Sequence, residues 1–238
     1  LWANSIFDLR FDEALSKAEK LAGWVPKLQL ATRGDQPLEE DLQKLLRAEL
    51  KAADEATPDS FERQSVINQI SHIYREAGLV NDAKGLLLAE LEKSASPYYF
   101  MSGLGSLAEK ADNFDEALAW RKRAYENSVG VATRFQWGAN YVLAMIRLAP
   151  EDHQAIAVQA SALLSEFDVP GELFAGRNFR TLKRLNENLR SWRQEQKPET
   201  LAFEPEVEKL CADQKEASLQ QQNCRSLFVE DHLVEEKV

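Results

Sequence analysis

The side chains in this sequence that could do chemistry are few, and their spacing limits what they can do. Cys211 and Cys224 are the only cysteines, with twelve residues between them. They therefore cannot form the Cys-x-x-Cys of a thioredoxin-type redox centre. Two readings fit. One is a disulfide between two consecutive short helices, which would contribute roughly 3 kcal/mol in the chain-entropy picture and imply an oxidising compartment such as the bacterial periplasm. The other is a pair of unrelated buried thiols in a cytosolic protein; the absence of a third cysteine favours the bridge. The histidines, His72, His153 and His232, have no partners at metal-ligand spacing. No serine sits in a Gly-x-Ser-x-Gly turn and there is no glycine-rich phosphate loop. We expect no catalytic residue, no metal, no cofactor and no enzymatic activity in this chain.

Charge narrows the partners. The 238 residues carry 29 Lys and Arg against 39 Asp and Glu, a formal net charge of −10. Binding to nucleic acid relies on clustered cations that neutralise phosphates, so this balance argues against it and against an anionic membrane surface. The longest apolar runs are short pieces such as 141–146 (YVLAMI), far below the ~20 residues that span a bilayer. The sequence begins at Leu1 and shows no basic-then-apolar leader, so it reads as a fragment or a processed form.

The elements that must carry these residues are helices. Only ten glycines and eight prolines punctuate the chain, and apolar residues recur at spacings of three and four. The pattern predicts helices over 38–53, 61–77, 80–93, 97–110, 114–126, 129–150, 152–166 and 174–196, with two short ones near 204–212 and 215–228. In 38–53 the stripe is Leu42, Leu45, Leu46, Leu50 and Ala53. Ser96 and Pro97 give a helix start, with Phe100, Met101, Leu104 and Gly105 facing neighbours. The fold class is all-α.

A period then emerges. Ala83 and Ala117 fall 34 residues apart, the period of a tetratricopeptide repeat. Tyr74, Gly78 and Ala83 match one unit; Leu104, Gly105, Phe114 and Ala117 match the next, with Ala108 in place of the aromatic and Asp112 in place of the turn glycine. Trp137, Gly138 and Tyr141 resemble an irregular third unit, and 10–18 (RFDEALSKA) echoes 113–121 (NFDEALAWR) as a further second helix. We expect a TPR-like superhelix of antiparallel helix hairpins over 1–150, clearest at 61–126, a C-terminal helical extension over 151–230 packed on it, and a flexible acidic tail over 231–238.

In such a superhelix the first helix of each pair lines a concave groove. That register places Asn68, His72 and Arg75 beside Tyr99, Ser102 and Ser106 as candidate contacts for a peptide; a face that is merely wet is the alternative. The one basic stretch, 177–193, holds Arg177, Arg180, Lys183, Arg184, Arg190 and Arg193. It would grip an acidic partner or, as we expect, pair with acidic groups of the same molecule.

Three motifs point further: Ser96, Pro97, Tyr98, Tyr99, Met101 and Ser102; Glu116, Ala117, Leu118 and Trp120; and Ala132, Thr133, Arg134, Gln136, Trp137 and Gly138, followed by Cys211 and Cys224. With them, residues 60–230 resemble the helical C-terminal region of exported thioredoxin-like proteins of proteobacteria. The thioredoxin domain itself is not in this chain. The resemblance implies a periplasmic, non-enzymatic interaction module that binds a protein or peptide, a thioredoxin-like domain of the same polypeptide among the candidates. The competing expectation is a scaffold that self-assembles in a cell-envelope complex.

Overall fold

A computed structural model describes residues 2–32, 37–167, 169–197 and 203–228. The tail at 231–238, and His232 within it, lie outside these. The described residues are helical nearly throughout, with no strand among them, so the chain is all-α. They cluster into two compact units, Leu1–Trp120 and Arg121–Val238.

In the first unit the helices are α1 (Trp2–Asp8), α2 (Lys17–Ala22), α3 (Trp24–Ala31), α4 (Glu40–Glu55), α5 (Ser60–Glu76), α6 (Val80–Glu90) and α7 (Tyr98–Lys110), with α8 (Phe114–Glu126) crossing the boundary. One apolar cluster runs through them, including Trp24, Leu46, Leu50, Ile67, Ile70, Leu87, Phe100 and Leu104. These are the i, i+3, i+4 positions of each helix, so helix formation and core formation are the same event. Leu45 departs from the expected stripe: it is 43% exposed.

The joints are local chemistry. Asp59 caps α5, accepting from the Phe61 and Glu62 amides. At the end of α5, Gly78 takes φ +73° and Leu79 N donates to Tyr74 O at 2.8 Å. At the end of α7, Asp112 takes φ +55° and Asn113 N donates to Ala108 O at 3.0 Å. Both are the same left-handed termination, 34 residues apart, made once with glycine and once with aspartate. The echo at 10–18 is a different matter. Its Leu9–Phe11 is a single 3-10 turn, Asp12 Oδ1 accepts from Ala14 N at 2.9 Å, and α2 begins only at Lys17, behind a capping box of Ser16 and Glu19. The pentapeptide FDEAL is thus a turn at 11–15 and a helix at 114–118; the first copy is not a repeat helix, because Asp12 and Ser16 both capture amides that a helix would need.

The joints meet at Arg63. Its guanidinium donates to Glu90 at 2.8 and 2.6 Å, to the Asp54 carbonyl at 3.0 Å and to the Thr57 carbonyl at 3.1 Å, and it pairs with the Asp54 carboxylate. One side chain of α5 therefore caps the end of α4 and ties it to α6. Glu90 is only 2% exposed at its side chain, and Lys93 approaches it at 3.1 Å.

The second unit contains α9 (Val131–Leu148), α10 (His153–Leu164), a 3-10 turn at Pro170–Phe174, α11 (Gly176–Gln196), α12 (Phe203–Ala212) and α13 (Leu219–Ser226). α9 packs against both α10 and α11, and α10 against α12. Leu182, Leu185, Leu189 and Trp192 form the buried seam of α11. Trp192 Nε1 donates to the Pro150 carbonyl at 2.8 Å, fixing the turn that ends α9. Cys211 and Cys224 are bonded, with Cα atoms 5.7 Å apart, joining α12 to α13. Two asparagines anchor α13: Asn186 of α11 donates to Leu227 O at 3.2 Å, and Asn223 of α13 itself donates to Phe174 O at 2.9 Å.

Two expected outcomes test these joints. Burial alone would raise the Glu90 carboxyl, but hydrogen bonds and charge from Arg63 and Lys93 win and hold it below its ordinary value. A depressed folded-state value means a contribution complete above the ordinary carboxylate range and lost as pH falls through the folded value. Glu90→Gln should cost roughly 3 kcal/mol in urea unfolding near neutral pH, and the gap from the parent should close on acidification. Asp112→Gly should stabilise by roughly 1 kcal/mol by removing the left-handed penalty; an unchanged unfolding midpoint would mean that Asp112 is not strained.

Candidate functional site

The candidate residues sit on two neighbouring helices. Asn68, His72 and Arg75 follow one another along α5, and Tyr99, Ser102 and Ser106 along α7. The core-facing positions between them are apolar: Val66, Ile67, Ile70 and Ile73 on α5, and Phe100, Leu104 and Leu107 on α7. This leaves the six polar residues half-buried, except Tyr99, which is 38% exposed. α5 and α7 pack directly.

Within this face the contacts are specific. Arg75 Nη2 lies 3.3 Å from His72 Nδ1. A guanidinium has no acceptor, so Nδ1 must accept, which places the neutral ring's proton on Nε2. Burial lowers the His72 imidazole below its ordinary value, and the cations Arg75 and Lys110 push the same way against Glu76. Lys110 belongs to α7, so its field on His72 couples the two rows. Arg75 Nε is buried with no hydrogen-bond acceptor among the described residues. Ser106 Oγ donates back to the Ser102 carbonyl at 3.2 Å, and the Tyr98 and Tyr99 rings stack with centroids 4.9 Å apart. The face is therefore polar with a cationic end at Arg75 and Lys110, beside the neutral His72. Glu76 and Lys110 were not among the sequence candidates; their signal was position, one turn beyond His72 and Ser106.

The sequence motifs turn out to be occupied with holding helices together. Arg134 forks onto Glu166 at 2.7 and 2.9 Å, Tyr125 donates its hydroxyl to the same carboxylate, and the Arg134 guanidinium lies 4.9 Å from the Tyr125 ring centroid. A Cβ on Gly138 would overlap a Leu163 methyl and crowd Tyr125. Glu116 binds Lys84 at 2.9 Å and accepts from Trp120 Nε1 at 3.3 Å. A cleft of about 250 Å³ lies over Arg63, Glu90, Lys93 and Phe100, but its polar floor is the α4–α5–α6 tie already described. Among the described residues no three His, Cys, Asp or Glu side chains converge as metal ligands, and no described helix is long and apolar enough to cross a membrane.

The basic stretch departs from expectation. Arg190 and Arg193 do pair with an acidic group of the molecule, sharing Glu204 at 2.7 and 2.6 Å, and Lys183 reaches Glu187 on its own helix at 3.9 Å. Among the described residues Arg184 meets only the neutral Asn140, at 2.7 Å. Arg177 and Arg180 are exposed and have no partner among the described residues. Internal pairing accounts for half of the six cations, because α11 and the helices around it place only two carboxylates within reach.

An NMR titration of His72 should give a midpoint below the ordinary histidine value, and Lys110→Gln should move it upward; a midpoint indifferent to Lys110 would uncouple the α5 and α7 rows. No family model, no curated protein and no solved structure matches the chain.

Proposed function

We propose that this chain is a non-enzymatic protein–protein interaction module with TPR-like helix hairpins, working in the periplasm as part of a thioredoxin-like protein. Its polar α5–α7 face grips a peptide or protein partner. The observation that carries the reading is the repeated left-handed turn at Gly78 and Asp112, 34 residues apart, which gives α5 and α7 the same place in successive hairpins. Support for the exported setting comes from the Cys211–Cys224 bond, which persists in an oxidising compartment. The neutral His72, the cationic Arg75 and Lys110, the serine hydroxyls and Tyr99 offer donors and one aromatic surface, a mixture suited to peptide carbonyls and carboxylates.

The test is a displayed random-peptide library selected on the full chain. Enriched peptides should perturb amide signals of α5 and α7, and Arg75→Glu with Tyr99→Ala should weaken them at least ~10-fold. No enrichment, or footprints confined to other helices, would sink the groove. Insulin reduction by the chain would sink the non-enzymatic assignment, and concentration-dependent sedimentation would point to the self-assembling scaffold instead.

A further inference from the structure

α11 carries six basic residues against two carboxylates, in a chain whose net charge is −10. Its buried seam faces the second unit's core, so the basic residues are confined to the opposite side. Arg177, Arg180 and Arg184 stand at i, i+3 and i+7, on one stripe about 10 Å long. Arg177 and Arg180 have no partner among the described residues, and Arg184 has only the Asn140 amide. An exposed arginine needs no partner, because water solvates it. Three in a row without a carboxylate, in a chain with an excess of carboxylates, form a local positive field. At physiological salt this field survives the distant negative charge, since screening acts over ~8 Å.

The stripe runs into a cleft. Beside Arg184, α9 and α11 border an open cleft of about 510 Å³, in which Leu143, Ile146, Pro150 and Trp192 lie beside a polar edge that includes Arg147, Asn188 and Glu195. One side of the cleft is fixed by contacts: Trp192 donates to the Pro150 carbonyl and meets His153 edge-on at 5.7 Å. Arg184 thus belongs to both features, a guanidinium stripe and a cleft that mixes an apolar side, at Leu143, Ile146, Pro150 and Trp192, with a polar one. Guanidinium groups pair with carboxylates in forked geometry, and the apolar side takes a side chain of leucine size.

We propose that this surface of the second unit docks an acidic protein segment, with carboxylates along Arg177, Arg180 and Arg184 and one apolar residue in the cleft. It is independent of the α5–α7 face, on other helices and with other chemistry. Carboxylates are the occupant because the stripe is cationic and guanidinium groups fork onto them, while Leu143 and Ile146 offer contact to one apolar residue. A phosphate backbone or a lipid headgroup array would use the arginines and leave Leu143 and Ile146 unexplained.

The probe is a fluorescein-labelled peptide of glutamates flanking a central leucine, followed by anisotropy on the full chain. Saturable binding is expected at ~10 mM salt, weakening as the screening length falls from about 30 Å to about 8 Å. Arg177→Glu with Arg180→Glu, both at exposed positions, should weaken it at least ~10-fold. The same pair changed to lysine should retain most of the binding. Serine in place of the central leucine should weaken the probe ~10-fold if its leucine enters the cleft. Thermal melts of each variant must match the parent. Equal binding to the charge-reversed variant, no binding at ~10 mM salt, indifference to the leucine, or preferential binding of single-stranded RNA or anionic vesicles would each overturn the proposal.

Discussion

A carboxylate taken out of water must be met by cations or donors, and in the first unit one such group organises the helices around it. Glu90 is almost wholly buried, and Arg63 meets it while also collecting two carbonyls from the end of α4. The apolar cluster supplies most of the drive to bury these helices, but grease is indifferent to register. The Arg63–Glu90–Asp54 tie sets the register, since sliding α5 by one turn would leave a buried charge unpaired. In the second unit the Arg134–Glu166–Tyr125 cluster plays the same part for the helices it joins.

This division of labour gives the motif-like residues structural partners. Arg134, Gly138, Glu116 and Trp120 drew attention because of their type and order. In the structure they are a fork, a close approach and a carboxylate shared by a lysine and an indole. Among the described residues, packing leaves over the half-buried side of α5 and α7 and the outer side of α11, the two surfaces proposed for recognition.

Much of the architecture could be read from residues alone, because periodicity and capping are local. From residue 38 onward helix ends fell within a few residues of expectation, and Phe100, Met101 and Leu104 are core as their spacing implied, whereas α1 and α3 were not anticipated. Other features resisted for physical reasons. The two copies of FDEAL show that five residues do not choose a structure; Asp12 capping Ala14, and Ser16 capping α2, decided one of them. The unpaired arginines of α11 could not be foreseen, since pairing depends on which carboxylates the tertiary fold brings near. Of the candidate groove, the rows on α5 and α7 were readable, while the cationic end made with Lys110 needed the packing of two helices.

The bond between Cys211 and Cys224 also changes what a break in the chain would mean. It encloses a loop at 212–223 in which Ala217 sits at φ +59°, between the end of α12 and the cap of α13. A protease that cut there would separate the sequence but not the molecule. The two pieces would stay covalently joined and migrate as one until a reductant was added, so α13 is secured topologically as well as by contact.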